Sequence, residues 1–242
     1  MKKQQVVNDP LEGWPFKGTL ELKDLRLRYR EDLPEVVKGI NVKMSGGTKI
    51  GVVGRTGSGK SSLLLALSRL NEICGGQVLI DGVDTTTMPL HDLREAISVI
   101  PQEPHLFSGT IRFNLDPYWR YYDEDIWSAL EETKLKPFVL ESGGLETPVS
   151  EGGGNWSTGQ RQLLSIARAL LHKRKIVLLD EATASVDFEN DQAIQRMLRT
   201  SPAFKQATLI VIAHRIDTII DSDLVLVLDN GKLVEEGPPK DL

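Results

Sequence analysis

The sequence predicts an α/β fold with a parallel sheet at its centre and a helical segment inserted into it. Short apolar runs such as "IVLL" before Asp180 alternate with helical patterns such as "ENDQAIQRMLR", which is the rhythm of a parallel sheet. Residues 103–172 differ, because helical patterns dominate there, as in "DEDIWSALEETKL" with Asp123 as its expected N-cap. From residue 176 the alternation resumes. We therefore expect an α/β core that is interrupted by a helical insert.

The first strand, "TLELKDLRLRY", carries an irregularity. Its apolar residues share one face up to Leu22 and share a face again from Leu25 to Tyr29, but the parity slips by one between the two sets. This slip predicts a β-bulge or tight bend near Lys23–Asp24. A second strand, "INVKM", is followed by the turn "SGG".

The remaining elements follow in order. "KIGVVG" reads as a buried strand, and the helix "SSLLLALSRL" is expected to close at Gly75–Gly76. "QVLIDG" and "SVIPQ" read as strands on either side of the short helix "LHDLREAI". After "TLIVIAH", the segment "LVLVLDNGKLVEEG" predicts a hairpin with "DNG" at its tip.

Composition restricts the classes of protein. The net charge of −5 argues against the basic face that non-specific nucleic-acid binding needs, so no nucleic-acid partner is expected. No run approaches the ~20 apolar residues of a membrane span, and "MKKQQVVNDP" lacks the apolar centre of a secretion signal. Cys74 is the single cysteine, which excludes an intrachain disulfide and favours a reducing compartment. We expect this chain itself to be soluble.

The segment "GRTGSGKSS" predicts a phosphate-binding loop. Gly54-x-x-x-x-Gly59-Lys60-Ser61 is the complete P-loop pattern, with a strand before it and a helix after it. Glycines let backbone N–H groups turn toward phosphates, a lysine reaches the β- and γ-phosphates, and the serine hydroxyl ligates Mg²⁺. The expected ATP-binding residues of this loop are Gly54, Arg55, Thr56, Gly57, Ser58, Gly59, Lys60, Ser61 and Ser62.

Two acidic residues follow a buried strand in "KIVLLDEATASVD". Asp180 ends the strand, where ligands lie in open α/β sheets, and a carboxylate there can hold Mg²⁺ through water. Glu181 comes next and is the candidate that orients and polarises the water attacking the γ-phosphate.

A second glycine-rich helix start lies in "EGGGNWSTGQRQLLSIARALL". Ser157-x-x-Gln160 before an apolar run is a capping box, so the simple interpretation is a well-capped helix. That interpretation leaves the glycines at 152–154 and 159 unexplained, because Gly159 in the first turn lowers helix stability relative to alanine. A close ligand approach explains them.

Taken together, these motifs resemble the ATP-binding cassette family over about residues 18–240. The P-loop, Gln102 after a strand, the S-x-G-Q helix start and the Asp-Glu strand end occur in that family's order. The resemblance implies a P-loop NTPase core with a mixed or parallel sheet, an N-terminal antiparallel β subdomain and a helical subdomain at about 103–172. The domain is then 18–242, after an N-terminal linker at 1–17.

The family assigns further roles by position. Tyr29 resembles the aromatic residue that stacks on adenine, although a core-facing strand residue is the alternative. Gln102 resembles the residue that ligates Mg²⁺ and senses the γ-phosphate, and His214 resembles the switch histidine. Catalysis is thus expected from Glu181, His214, Lys60 and Gln102, and metal binding from Ser61, Gln102 and Asp180.

Cassettes of this family work in head-to-tail pairs, which implies a second nucleotide-binding domain and attached transmembrane domains as partners. The signature of one cassette contacts ATP on the other, so the second helix start serves the partner's site. The residues implied are Ser157, Thr158, Gly159 and Gln160 in the signature, and Ser185 and Asp187 in the interface loop.

"SGTIRFNLDPY" and "NWSTGQRQLLSIARALL" resemble the C subfamily, and its second, C-terminal cassette in particular. The resemblance implies an ATPase, with ATP and Mg²⁺, that powers a multidrug-resistance-associated exporter from the cytoplasmic face of a membrane. The usual signature is L-S-G-G-Q, and here Trp156 stands at the Leu position and Thr158 at the first Gly position. The departure at Thr158 puts fast hydrolysis on the partner's P-loop in doubt. A nucleotide-sensing or channel-gating cassette is the alternative.

Two further alternatives concern function and surface. A cassette acting on DNA or ribosomes is disfavoured, because the segment between Lys60 and Ser157 contains no heptad run that would form a coiled coil. The sequence also has no basic stripe for nucleic acid. The aromatic stretch "PYWRYYDEDIW" is interpreted first as packing within the helical insert and second as a docking surface for the transmembrane half.

Overall fold

A computed structural model describes residues 13–180, 188–213 and 219–241, with the side chains of 188–191 and 193 left out. The strands are β1 (Leu20–Leu27), β2 (Val37–Met44), β3 (Lys49–Val53), β4 (Gly75–Ile80), β5 (Val83–Asp84), β6 (Ile97–Ile100), β7 (Gly109–Thr110), β8 (Pro148–Val149), β9 (Ile176–Asp180), β10 (Thr208–Ile212), β11 (Leu224–Asp229) and β12 (Lys232–Gly237). The helices are α1 (Lys60–Leu67), α2 (Leu90–Ala96), α3 (Ile111–Leu115), α4 (Asp123–Glu132), α5 (Lys136–Glu141), α6 (Thr158–His172), α7 (Phe188–Thr200) and α8 (Pro202–Lys205).

The larger sheet has the order β12-β11-β3-β10-β9-β6. Strands β11, β3, β10, β9 and β6 run parallel, and β12 returns antiparallel to β11 at the edge. The sheet is therefore mixed, and the predicted α/β class is confirmed. Because parallel strands end at one edge, the segments after β3, β9 and β6 emerge at the same edge of the sheet, where open α/β sheets bind ligands.

The smaller sheet is antiparallel, with the order β2-β1-β4-β5. The register of β1 against β2 shifts between Leu22, which pairs with Val42, and Leu25, which pairs with Ile40. Asp24 has φ of 47° at this point. The predicted bulge is confirmed, and it keeps the leucines on both sides of the bulge buried.

The larger sheet divides the core into two clusters. Val177 and Leu179 of β9 pack with the helices of the insert, including α4 and α6. Their neighbours Ile176 and Leu178 pack with α1 and the smaller sheet. Successive residues of a strand point to opposite faces, so one short apolar strand supplies both cores.

Two boundaries differ from the expectation. Helix α1 ends at Leu67 rather than at the glycine pair, because the chain turns at Ser68 and Arg69, the latter with φ of 46°. Gly75 instead opens β4. The N-cap of α4 is Tyr122, so that Asp123 is the first helical residue, where its charge still suits the helix dipole. In the part of the chain that the structure describes, no helix is long and apolar enough to cross a membrane.

Candidate functional site

The P-loop between β3 and α1 has a shape that depends on glycine. Gly54 has φ of 152°, and a Cβ there would lie 2.2 Å from the Leu228 carbonyl oxygen. Gly59 has φ of 102°, and its Cβ would lie 3.0 Å from the Val36 carbonyl oxygen. Gly57, with φ of 81°, faces open space. Backbone atoms of Leu228 and Val36 therefore pack closely against Gly54 and Gly59, whereas the loop has free space at Gly57.

Lys60 is 6% exposed and begins α1. Its ammonium donates to the carbonyl oxygens of Gly54 at 2.8 Å and Arg55 at 3.1 Å. Both acceptors are neutral, so the positive charge is held inside the loop without being neutralised by them. The first turn of α1 has neither a side-chain cap nor an acidic residue, which leaves the positive end of the helix to a ligand.

The remaining P-loop side chains differ in burial. Ser58 is buried, and its hydroxyl has no hydrogen-bond partner among the described residues. A buried hydroxyl without a partner is unfavourable, so a bound group that supplies one would stabilise this loop. Arg55 and Thr56 lie on the exposed part of the loop.

Ser61 joins the P-loop to the end of β9. Its hydroxyl donates to Asp180 Oδ1 at 3.3 Å. Gln102 is exposed and follows β6, which neighbours β9 in the sheet. Within the described ranges, no group of three or more His, Cys, Asp or Glu side chains is arranged so that it could hold a metal ion. A hydroxyl, a single carboxylate and an amide oxygen nevertheless fit Mg²⁺, which retains waters and binds phosphate oxygens in nucleotide sites.

Tyr29 lies just beyond β1 and is 45% exposed, whereas Leu25 and Leu27 before it are buried. Its hydroxyl shares a hydrogen bond of 2.8 Å with the Ser62 hydroxyl. The ring is thus tied to α1 at its polar end while much of it is open to solvent. This placement suits stacking on a planar ligand beside the P-loop.

The signature helix α6 begins with the predicted capping box, which is confirmed. Gln160 N–H donates to the Ser157 hydroxyl at 3.1 Å, and Ser157 N–H donates to Gln160 Oε1 at 2.9 Å. The apolar side of the helix is buried as expected. Gly159 is buried, and Thr158 Oγ1 accepts a hydrogen bond from Arg161 at 3.1 Å.

Trp156 explains one departure in the signature. It is buried and meets Phe138 of α5 edge-to-face, with ring centroids 5.0 Å apart. The Trp156 ring, which is larger than the usual leucine, therefore fills space between α6 and α5.

Four of the predicted functional residues, Glu181, Ser185, Asp187 and His214, lie outside the described residues.

Sequence reasoning missed the side chains that hold the chain on both sides of Gln102. Arg168 of α6 donates to the His105 carbonyl at 3.1 Å and to Asn114 Oδ1 at 2.7 Å. Burial lowers the pKa of Arg168 to about 10. Likewise, Gln162 is buried and donates to the Pro101 carbonyl at 3.3 Å. Polar residues within an otherwise apolar helix face were the available signal.

Some residues of the aromatic stretch pack within the helical insert, and others are exposed as a docking surface requires. Tyr121 stacks on His172, with ring centroids 5.7 Å apart, and Trp127 packs against the core. Tyr118, Trp119 and Tyr122 are 73%, 69% and 80% exposed, so packing within the insert is the wrong interpretation for these three.

Known proteins resemble this chain both in sequence and in fold. The family described as ABC transporter matches residues 37–184. The chain is 52% identical over 236 residues to "ATP-binding cassette sub-family C member 2" of Rattus norvegicus and 53% identical over 234 residues to that of Homo sapiens. It is also 53% identical over 234 residues to "ABC transporter C family member 13" of Oryza sativa subsp. japonica. The resemblance to the C subfamily is confirmed.

These matches cover 96% of the chain but only 15% of each relative's length, so the chain spans about a seventh of the curated relatives that it matches. Among solved structures, a bacterial Atm1-family ABC exporter with ATP bound has a TM-score of 0.86 and 32% sequence identity. That match covers 93% of this chain and 39% of the exporter chain.

Proposed function

Because the chain belongs to the ABC transporter family, we propose that it is a cassette that binds and hydrolyses ATP to power an exporter of the multidrug-resistance-associated type. The observation that carries this proposal is the buried Lys60 ammonium, held on neutral carbonyls beside the Ser61–Asp180 pair. That pairing offers a positive charge for phosphate next to oxygen ligands for a divalent cation.

The roles follow from these positions. Tyr29 stacks on the adenine, and the loop from Gly54 to Ser62 surrounds the phosphates. Lys60 binds the β- and γ-phosphates. Ser61, Asp180 and Gln102 hold Mg²⁺, which when bound neutralises charge on the transferring phosphoryl group.

Hydrolysis is assigned to two residues that follow strands β9 and β10 in the sequence. Glu181 orients the attacking water and polarises it, since it directly follows Asp180. His214 follows β10 and contacts the γ-phosphate. Water attack in line with the leaving group needs such positioning more than it needs covalent chemistry.

The partner is a second cassette in a head-to-tail pair, proposed to be the unlike, N-terminal cassette of the same transporter. Ser157, Thr158, Gly159 and Gln160 contact ATP held on the partner's P-loop, and Ser185 with Asp187 crosses the interface. The N-terminus of α6 supports this, because its first turn carries no acidic residue and an anion is stabilised at a helix N-terminus. Bound ATP then joins the two cassettes, and its hydrolysis loosens them.

The transmembrane domains are the second partner, which places the cassette at the cytoplasmic face of a membrane. The exposed aromatic surface of Tyr118, Trp119 and Tyr122 is the proposed docking site. Arg112 lies 4.3 Å from the centroid of the Trp119 ring and Arg120 lies 5.0 Å from that of Tyr118, so both rings are held in place. A cluster of exposed aromatic residues is typical of protein interaction surfaces.

The alternative is a regulatory or channel-gating cassette with firm nucleotide binding and slow hydrolysis. Thr158 favours slow hydrolysis on the partner's P-loop, because the hydrogen bond from Arg161 fixes a side chain where the family's usual glycine would allow closer approach to the phosphate.

The test is the ATPase rate of the purified chain with Mg²⁺ at rising protein concentration, together with an ATP titration. Glu181→Gln serves as the blank and is expected to bind ATP without turnover. Lys60→Ala is expected to lose ATP affinity, whereas the exposed Lys43→Ala should retain it. A rate that rises faster than linearly means that two copies assemble a working site. Firm binding with almost no turnover is expected both of a cassette that needs its unlike partner and of the alternative. ATP binding that Lys60→Ala leaves unchanged contradicts the site.

A further inference from the structure

The tip of the β11–β12 hairpin, Asn230–Gly231, makes backbone contact with the P-loop. Gly231 N–H donates to the Ser58 carbonyl oxygen at 3.0 Å. The Gly231 carbonyl oxygen in turn accepts from Lys38 N–H of β2 at 2.8 Å. A single residue of the hairpin therefore connects the phosphate-binding loop to the smaller sheet.

Space at this contact is limited to backbone atoms. A Cβ on Gly231 would lie 2.4 Å from the Val36 carbonyl oxygen, closer than real Cβ atoms come to any such atom. A Cβ on Gly59 would lie 3.0 Å from the same oxygen and 3.5 Å from the Gly231 Cα. Gly59, Gly231 and Val36 are thus packed against one another without intervening side chains.

The hydrogen bond to Ser58 determines a direction in the P-loop. In a planar trans peptide the C=O and the following N–H point in opposite directions. A donor outside the loop that holds the Ser58 carbonyl therefore turns the Gly59 N–H away from the hairpin. An N–H that is fixed before a ligand arrives binds an anion with less loss of conformational entropy.

We propose that Gly231 is a positioning residue for nucleotide phosphate, acting through the Ser58–Gly59 peptide of the P-loop. The inference rests on the proposed function, because it concerns the same ATP site. Gly231 lies far from the P-loop in sequence, at the tip of a hairpin whose strands carry none of the predicted site residues.

Gly231→Ala tests the proposal, and Gly82→Ala is its matched control. Asp81–Gly82 is also a two-residue hairpin tip, with φ of 46° and 82° against 48° and 81° for Asn230–Gly231. Both substitutions strain the same left-handed backbone, but a Cβ at Gly82 meets open space. The control thus separates the effect of the close packing at Gly231 from the strain in the turn.

The measurements are thermal unfolding without nucleotide and titration with ATP and with ADP. We expect Gly231→Ala to lose about tenfold or more in affinity for both nucleotides relative to Gly82→Ala. An affinity within twofold of the control overturns the proposal while leaving the ATP site intact. Absence of ATP binding by the unaltered chain would overturn the proposed function as well.

Hydrogen exchange of the unaltered chain provides a second test, which holds even if Gly231→Ala fails to fold. We expect the Gly231 amide to exchange slowly and to slow further, by about tenfold or more, when ATP is added. The Gly82 amide should not respond. If ATP protects amides of the P-loop but leaves the Gly231 amide unchanged, the hairpin does not act on the loop and the proposal is wrong.

Discussion

Replacing Asn114 by alanine should destabilise the helical insert strongly, because this buried amide joins three backbone groups and one cation. Its Nδ2 donates to the carbonyl oxygens of Phe107 at 2.8 Å and Thr110 at 3.0 Å. Its Oδ1 accepts from Phe107 N–H at 2.9 Å and from Arg168 at 2.7 Å. The substitution removes all four hydrogen bonds.

The magnitude follows from the number and charge of these bonds. Three neutral bonds at about 1 kcal/mol and one bond to a charged group at about 1.5–3 kcal/mol give roughly 4–6 kcal/mol if nothing replaces them. Phe107 is exposed, so water can satisfy its backbone groups. We therefore expect a loss of about 3 kcal/mol in the free energy of unfolding, which lowers Tm by about 6–12 °C in a domain of this size.

The assay is urea and thermal unfolding, with Asn155→Ala as the control. Asn155 also makes several side-chain hydrogen bonds, to Ser150 N–H, the Ser150 hydroxyl and the Pro148 carbonyl, but it is exposed. Water can replace those bonds, so the control should lose less than about 1 kcal/mol. Equal losses for the two variants would refute the reasoning, because burial would then not decide the cost.

Two further predictions concern the ligand and the pH. Tyr29→Ala should weaken ATP binding about 5- to 20-fold, whereas Tyr29→Phe, which keeps the ring, should lose less than threefold; an alanine variant that binds ATP normally contradicts adenine stacking. Burial, and then Arg174, lowers the pKa of His172, so the unfolded chain binds a proton more readily than the folded one. The free energy of unfolding should therefore fall as the pH decreases from about 7 through 6.5 toward the lowered pKa of His172. Urea unfolding at several pH values should show a shallower fall for His172→Gln, whereas the exposed His91→Gln should behave like the unaltered chain.

Motifs with local chemistry were readable from the sequence. The P-loop, the capping box of α6 and the bulge in β1 depend on residues a few positions apart, and each has a definite spacing or parity. Long-range contacts were not readable in this way. Neither the Asn114–Arg168 bond nor the Gly231–Ser58 bond has a sequence spacing that predicts it, since each depends on how distant elements pack.

The end of α1 shows why boundaries were less predictable. Gly75–Gly76 is a strong stop signal, but the chain had already left the helix at Ser68, whose hydroxyl donates to the Leu64 carbonyl. Gly76 is instead required where β4 passes β1, because a Cβ there would lie 2.2 Å from the Asp24 carbonyl oxygen. A glycine that serves close strand approach looks, in sequence, like one that ends a helix.

The position of β3 in the larger sheet has a consequence for how the protein folds. Both of its neighbours, β10 and β11, come from residues 208–229, while β3 itself is at 49–53. Pairings between such distant segments form slowly, and during synthesis the strand that leads into the P-loop cannot pair with its neighbours until residues 208–229 have left the ribosome. The sheet edge that carries the nucleotide site is thus completed only after this later part of the sequence has been made.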